Sequence, residues 1–203
     1  MPSKSTSVWL PRVIFESALI TVSILLALGL DEWRENREVE ETIRQAMSNF
    51  LSEIRQNKAR VDDAAPFNKG LHDVIDHRNQ QGDIQSMSDF ISIMDSYSPV
   101  VLQSTAWETA LATGSLAKMD YGLVSALSLT YGLQGRYEQT NRGAVARLTS
   151  PQVLSPDTVD LAIYNSLQYL EDVTKMETDL AVVYTEATSV IEVNWRKLNG
   201  ESD

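Results

Sequence analysis

Residues 13–30 read Val-Ile-Phe-Glu-Ser-Ala-Leu-Ile-Thr-Val-Ser-Ile-Leu-Leu-Ala-Leu-Gly-Leu, and no other stretch limits this chain's possible folds so strongly. An ordinary surface helix needs a polar face to meet water, and this run has none. As a helix it reaches roughly 27 Å at about 1.5 Å per residue, close to the thickness of a bilayer's hydrocarbon core. About eleven of its residues are Leu, Ile, Val or Phe, which together favour insertion by about 3 to 7 kcal/mol. A single acidic residue near the end, Glu16, costs at most about 3 kcal/mol. The run is therefore expected to be one transmembrane helix.

A cleaved secretory signal is the competing reading, because Lys4, Arg12 and Ala27-Leu28-Gly29 imitate a basic start and a small-residue exit. The apolar run is longer than a usual signal core, which favours a retained anchor. Orientation rests on Lys4 and Arg12 before the span against Arg34, Arg37 and Arg44 after it. The short basic tail resembles that of a signal anchor, which would keep the N-terminus inside and place the rest outside. The expected layout is a short tail over residues 1–12, a span over 13–30 and an extramembrane helical domain over 31–203.

Beyond the span, prolines at 66, 99, 151 and 156 leave long intervals without a helix breaker. Val39, Ile43, Met47, Phe50, Ile54 and Val61 recur at helical spacing, so the membrane helix is expected to continue to about Asp62. Pro66 to Gln80 and Ser86 to Ser96 are read as separate helices. Ser104 to Ala112 is read as another that stops at Gly114, and Leu116 to about Arg147 as one long helix. Gly122, Gly132, Gly135 and Gly143 either weaken that helix or permit close packing. Ser155-Pro156-Asp157 is a helix start, followed by a stripe of Leu161, Tyr164, Leu167, Leu170, Val173, Met176, Leu180, Val183, Ala187 and Val190. Ser98 to Leu102 is the best strand candidate, and it is short. The expected fold is all-α: an N-terminal transmembrane helix continuing into a long-helix bundle.

The formal charge of −11, with no dense Lys/Arg cluster, disfavours nucleic acid and anionic headgroups. With no cysteine and two histidines, thiolate chemistry is excluded and the acid–base repertoire is thin. No phosphate loop, nucleophile elbow or HExxH run is present. Neither an enzyme nor a bound cofactor is expected.

Glu16, Leu25-Leu26-Ala27-Leu28 and Asp31-Glu32-Trp33-Arg34 are followed by Ala106-Trp107-Glu108-Thr109-Ala110, Gly114, Leu116, Met119-Asp120-Tyr121, Leu127 and Tyr131. This series resembles a bacterial family of membrane-anchored proteins that join a span with an early Glu to an Asn/Asp-Glu-Trp exit and then a helical domain. The resemblance implies a single-pass envelope protein; combined with the orientation favoured by the basic tail, the expected location is a bacterial inner membrane with the C-terminal domain periplasmic. The resemblance carries no activity and no catalytic residue.

Several residues stand out on chemistry. Glu16, with Ile20, Ser23 and Ala27 at helical spacing, forms a face that could meet another membrane helix, or Glu16 simply reaches the interface. Trp9, Arg12, Trp33, Arg34 and Arg37 sit at the two headgroup levels. The acidic run Asp31, Glu32, Glu35, Glu38, Glu40 and Glu41 is interleaved with Arg34, Arg37 and Arg44, which permits ion pairs along a solvated helix. His72 is expected to pair with Asp76 and Asp73 with His77, whereas the five-residue spacing of the histidines disfavours a metal. Trp107 packs in a helix junction or floors a pocket, with Glu108, Tyr121 and Tyr131 as polar handles.

These observations favour a non-enzymatic accessory or scaffold subunit whose partners are other integral membrane subunits and the bilayer, with bioenergetic assemblies the first place to look. A membrane-tethered ligand-binding or sensory bundle, working through a partner, is the alternative.

Overall fold

A computed structural model describes residues 9–150 and 155–200, with side chains described from Val13 onward except at Pro156. The described residues form five α-helices joined by short connections, and no strand occurs among them. Helix α1 is Trp9–Gln81, α2 Met87–Met94, α3 Thr105–Ala112, α4 Tyr121–Leu148 and α5 Val159–Leu198. Single turns of 3₁₀ helix, Ser115–Lys118 and Pro156–Thr158, lead into α4 and α5. The chain divides into two compact units, Met1–Ile43 and Arg44–Asp203.

In the first unit, every described residue from Val13 to Glu38 is exposed. The 18-residue apolar window has a mean hydropathy of 2.3 and no buried share, so the helix is long and apolar enough to cross a membrane. Two of its hydroxyls bond within the helix, where Thr21 donates to the Ser17 carbonyl and Ser23 to the Leu19 carbonyl.

The second unit is built on three long helical segments. Tyr184 reaches Gln134, Tyr137 reaches Glu177 and Tyr169 reaches Asn141, so residue numbers rise along α4 as they fall along α5, and these helices run antiparallel. Glu53 meets Tyr131 and Asn57 meets Gln134, which makes α1 parallel to α4. Met47, Phe50, Ile54 and Val61 of α1 are buried against this pair, together with Leu123 and Leu127 of α4 and Leu170, Val173 and Leu180 of α5. Helices α2 and α3 close the sides with Met87, Phe90, Ala106 and Ala110.

Three boundaries differ from expectation. Pro66 lies inside α1, with no break between Asp62 and Gln80. A proline there removes one backbone hydrogen bond and crowds the carbonyl four residues back, at a cost of about 3 kcal/mol. Buried Val61 and Asn68 on either side, followed by Leu71 and Ile75, hold the register through it. The expected helix from Leu116 is interrupted, because Asp120 accepts from the backbone N–H groups of Gly122 and Leu123 and so starts α4 afresh. Ser98 to Leu102 is irregular and forms no strand.

Other local signals hold. Ser86 and Asp89 form a capping box at α2, and Gly114, at φ 68°, supplies the left-handed residue that ends the α3 region. A Cβ placed at Gly132, Gly135 or Gly143 would meet nothing within 4 Å, so no close packing inside the domain requires these glycines. The stripe on α5 holds over its central turns and fails at its start. Leu161 and Tyr164 are exposed, whereas Ala162, Ile163, Ser166, Tyr169, Glu177, Tyr184 and Ile191 are buried. Leu170, Val173, Leu180 and Ala187 of the expected stripe are buried, so the apolar pattern finds the centre of the buried face and misses its start and its polar and aromatic members.

Candidate functional site

The apolar face proposed for membrane contact, Glu16, Ile20, Ser23 and Ala27, lies wholly on the exposed first unit. Trp33 is 55 % exposed and carries the Arg37 guanidinium over its ring, 5.3 Å from the centroid. Arg34 is exposed, and neither Arg34 nor Arg37 joins an ion pair among the described residues. The side chains of Trp9 and Arg12 lie outside the described residues.

Of the four residues proposed around Trp107, two come together. Trp107 stacks on Tyr131 with centroids 5.4 Å apart and planes 18° apart, and Phe50 tilts against both rings. Glu108 is exposed and accepts from the Ser104 hydroxyl at 2.6 Å. Tyr121, 86 % exposed at the start of α4, takes no part in the cluster. The aromatic group is therefore a helix junction, and Tyr131 turns its hydroxyl inward.

That hydroxyl leads to the first of two buried polar layers. Glu53 accepts from Tyr131 at 2.7 Å with one carboxylate oxygen and from the Ala106 backbone N–H at 3.0 Å with the other. The side chain of Ser104 does not cap α3, so Glu53 supplies from α1 the acceptor that the α3 N-terminus lacks. One turn on, Asn57 donates to the Gln103 carbonyl and to Gln134, and accepts from the Gln103 N–H. Tyr184 completes the layer by donating to Gln134 at 3.0 Å. Helices α1 and α5 are thereby each tied to α4, and α1 and α4 to the lead-in of α3.

The second layer surrounds Glu177, which is 1 % exposed. Its Oε1 accepts from Asn68 at 2.6 Å and Tyr137 at 2.9 Å. Its Oε2 is buried and has no partner among the described residues. Nearby, Tyr97 and Tyr169 share a hydroxyl contact, and Tyr169 donates to Asn141 at 2.9 Å. Burial raises the Glu177 carboxyl above its usual range, and the bonds from Tyr137 and Asn68 only partly oppose this. Burial likewise raises the phenols of Tyr97, Tyr131, Tyr137 and Tyr184, keeping them neutral donors.

The sign of the Glu177 shift fixes a pH dependence. Its folded-state pKa lies above the unfolded value, so its contribution to stability is fully present below the unfolded pKa and is lost as pH rises through the folded one. Glu177→Gln is therefore expected to gain stability relative to wild type as pH rises from 4 toward 8. Paired denaturant titrations across that range check it, and a constant difference between the two proteins would refute it.

Both layers escape a reading of periodicity. Glu53 lies beside Ile54 and three residues after Phe50, while Glu177 lies four after Val173 and three before Leu180. A carboxylate in register with an apolar stripe was the available signal. The expected histidine pairing is also revised. His72 approaches its neighbour Asp73 at 3.3 Å, and Asp76 instead accepts from Gln80. Among the described residues no cluster of His, Asp and Glu is arranged to hold a metal ion.

No protein-family profile, curated protein or solved structure matches the chain.

Proposed function

We propose that this chain is a single-pass, non-enzymatic accessory or scaffold subunit of a larger inner-membrane assembly in a bacterium, with its helical domain in the periplasm and respiratory or photosynthetic complexes the first assemblies to examine. The observation that carries this reading is the first unit. Its side chains from Val13 to Leu30 are exposed, with Leu25 and Leu26 at 62 % and 69 %, and only lipid or another apolar helix can cover such a surface favourably. Exposed Trp33 under Arg37 suits a headgroup level. The likeness to membrane-anchored bacterial proteins, carried by Glu16, Asp31-Glu32-Trp33 and Ala106-Trp107-Glu108, supports the same assignment.

In this reading the Glu16, Ile20, Ser23 and Ala27 face meets a neighbouring membrane helix, where a small-residue surface allows close approach and a carboxyl provides a hydrogen bond. Glu16→Leu should leave membrane insertion intact and release the companions that co-purify with wild type in mild detergent at fixed ratio. Mass spectrometry of both preparations tests this; an unchanged set of companions removes Glu16 from the interface, and a solitary wild-type protein removes the subunit reading.

The groove between α1 and α5, with Glu177 in its wall, favours a second reading as a membrane-tethered ligand-binding domain.

A further inference from the structure

Between α1 and α5 the second unit carries a groove of about 930 Å³. Val61, Ala65 and Pro66 form one apolar wall, and Ala181 and Val182 the other. Small side chains at Ala65 and Ala181 keep the helices from filling the space between them. The polar groups along this groove are mostly engaged. Thr174, Thr178 and Thr185 each donate to the carbonyl four residues back, at 2.7, 3.0 and 2.8 Å, and Lys58 holds Asp62 at 2.6 Å.

Among the described residues Lys69 and Glu186 make no such bond but are exposed to water, whereas Glu177 is buried. Its Oε1 is committed to Asn68 and Tyr137, while Oε2 is buried and unpartnered in a residue that lines the groove. A buried carboxylate oxygen without a donor is costly and selects a ligand that brings one. The lining carries carboxylates at Asp62, Glu177 and Glu186 against ammonium groups at Lys58 and Lys69, so the balance of charge favours a cation. Apolar walls beside a single charged acceptor suit a molecule with one polar end.

We propose that this groove binds a small organic ammonium ion, whose nitrogen donates to Glu177 Oε2 and whose hydrocarbon body lies against Val61, Ala65, Pro66 and Ala181. The inference stands whether or not the chain joins a larger assembly. The groups that face Glu177 are Asn68 on α1, Tyr137 on α4, Tyr169 on α5 itself and Tyr97 from the connection before α3. The ammonium groups of the same lining, Lys58 and Lys69, form no bond to Glu177, and Lys58 holds Asp62 instead. A proton competes with the ligand for this carboxylate, so the apparent Kd should tighten about tenfold per pH unit below the folded pKa of Glu177 and level off above it.

The test uses the full chain in zwitterionic nanodiscs, with methyl-labelled valines and n-hexylammonium, n-hexanol and n-hexanoate as probes. Saturable shifts of the Val61 and Val182 methyls are expected with hexylammonium, at least tenfold weaker with hexanol, and absent with hexanoate. Glu177→Gln should weaken hexylammonium binding at least tenfold and abolish its pH dependence. Equal affinity for hexanol, an unchanged Glu177→Gln variant, or no saturable shift at pH 8 would overturn the proposal. Should Glu177→Gln lose its helicity, Val182→Trp fills the groove without touching the carboxylate. It should then eliminate the Val61 shifts, and their persistence would count against the site.

Discussion

Glu53→Ala should lower the melting temperature of the protein by roughly 6–24 °C. The substitution leaves the Tyr131 hydroxyl and the Ala106 N–H without their acceptor in a layer where Glu53 is only 7 % exposed. Two buried hydrogen bonds to a carboxylate contribute about 1.5–3 kcal/mol each, so a loss of about 3–6 kcal/mol is expected. At about 2–4 °C per kcal/mol for a protein of this size, the shift is large. The short α3 would be affected first, because Ser104 is turned toward Glu108 and offers its N-terminus no cap.

Glu53→Gln should cost much less. The amide oxygen can still accept from Ala106, and the Tyr131 hydroxyl can reverse and accept from the amide nitrogen. Circular-dichroism melts of the three proteins in one detergent measure the difference. A Glu53→Ala melt indistinguishable from wild type would mean that the layer does not hold the helices together.

The second large effect concerns the span. Replacing Leu25 and Leu26 with lysine removes two favourable residues at the centre of the apolar run and adds about 2.5–3.5 kcal/mol for each charge. The total change, about 6–8 kcal/mol, is comparable to or larger than the whole favourable sum of about 3 to 7 kcal/mol for the run. The double variant should leave the carbonate-resistant membrane fraction, whereas wild type remains in it. If the lysine variant is retained as wild type is, residues 13–30 are not what holds the protein to the membrane.

Particular residues show where reading the sequence works. Met47, Phe50, Ile54 and Val61 recur at helical spacing, and all four are buried on α1. Ser86 before Met87 and Gly114 after α3 mark their helix ends through bonds and dihedrals that depend on immediate neighbours. Pro66 misleads because its local penalty is outweighed by packing on both sides, and Asp120 because its capping bonds interrupt an otherwise continuous pattern. On α5 the reading is narrower than the buried face. Leu170, Val173, Leu180 and Ala187 of the stripe are buried, but adjacent residues differ by about 100° around a helix, so a stripe of single positions leaves out Tyr169 and Tyr184 on the flank of that face and takes in exposed Leu161 and Tyr164.

Trp107 and Tyr131 were legible as partners because large aromatics beside small residues suit a junction, but Tyr121 was not separable from them by type or spacing. Glu53 and Glu177 were missed for a related reason. A carboxylate is ordinarily solvated, and its burial becomes tolerable only when donors arrive from segments far away in the chain. For Glu53 these are 53 and 78 residues distant, and for Glu177 they are 109 and 40.

The sequence by itself determined that the chain is helical and that one N-terminal helix is long and apolar enough to cross a bilayer. Both follow from sums over consecutive residues: backbone propensity, side-chain periodicity and transfer free energy. Only the tertiary structure decided which aromatic and polar residues of α5 join its buried face, which helix end Glu53 caps, and that Glu177 keeps an unpartnered oxygen in a residue lining a groove. Those depend on which distant donors and apolar surfaces arrive at each position, and pattern along the chain carries no direct record of that encounter.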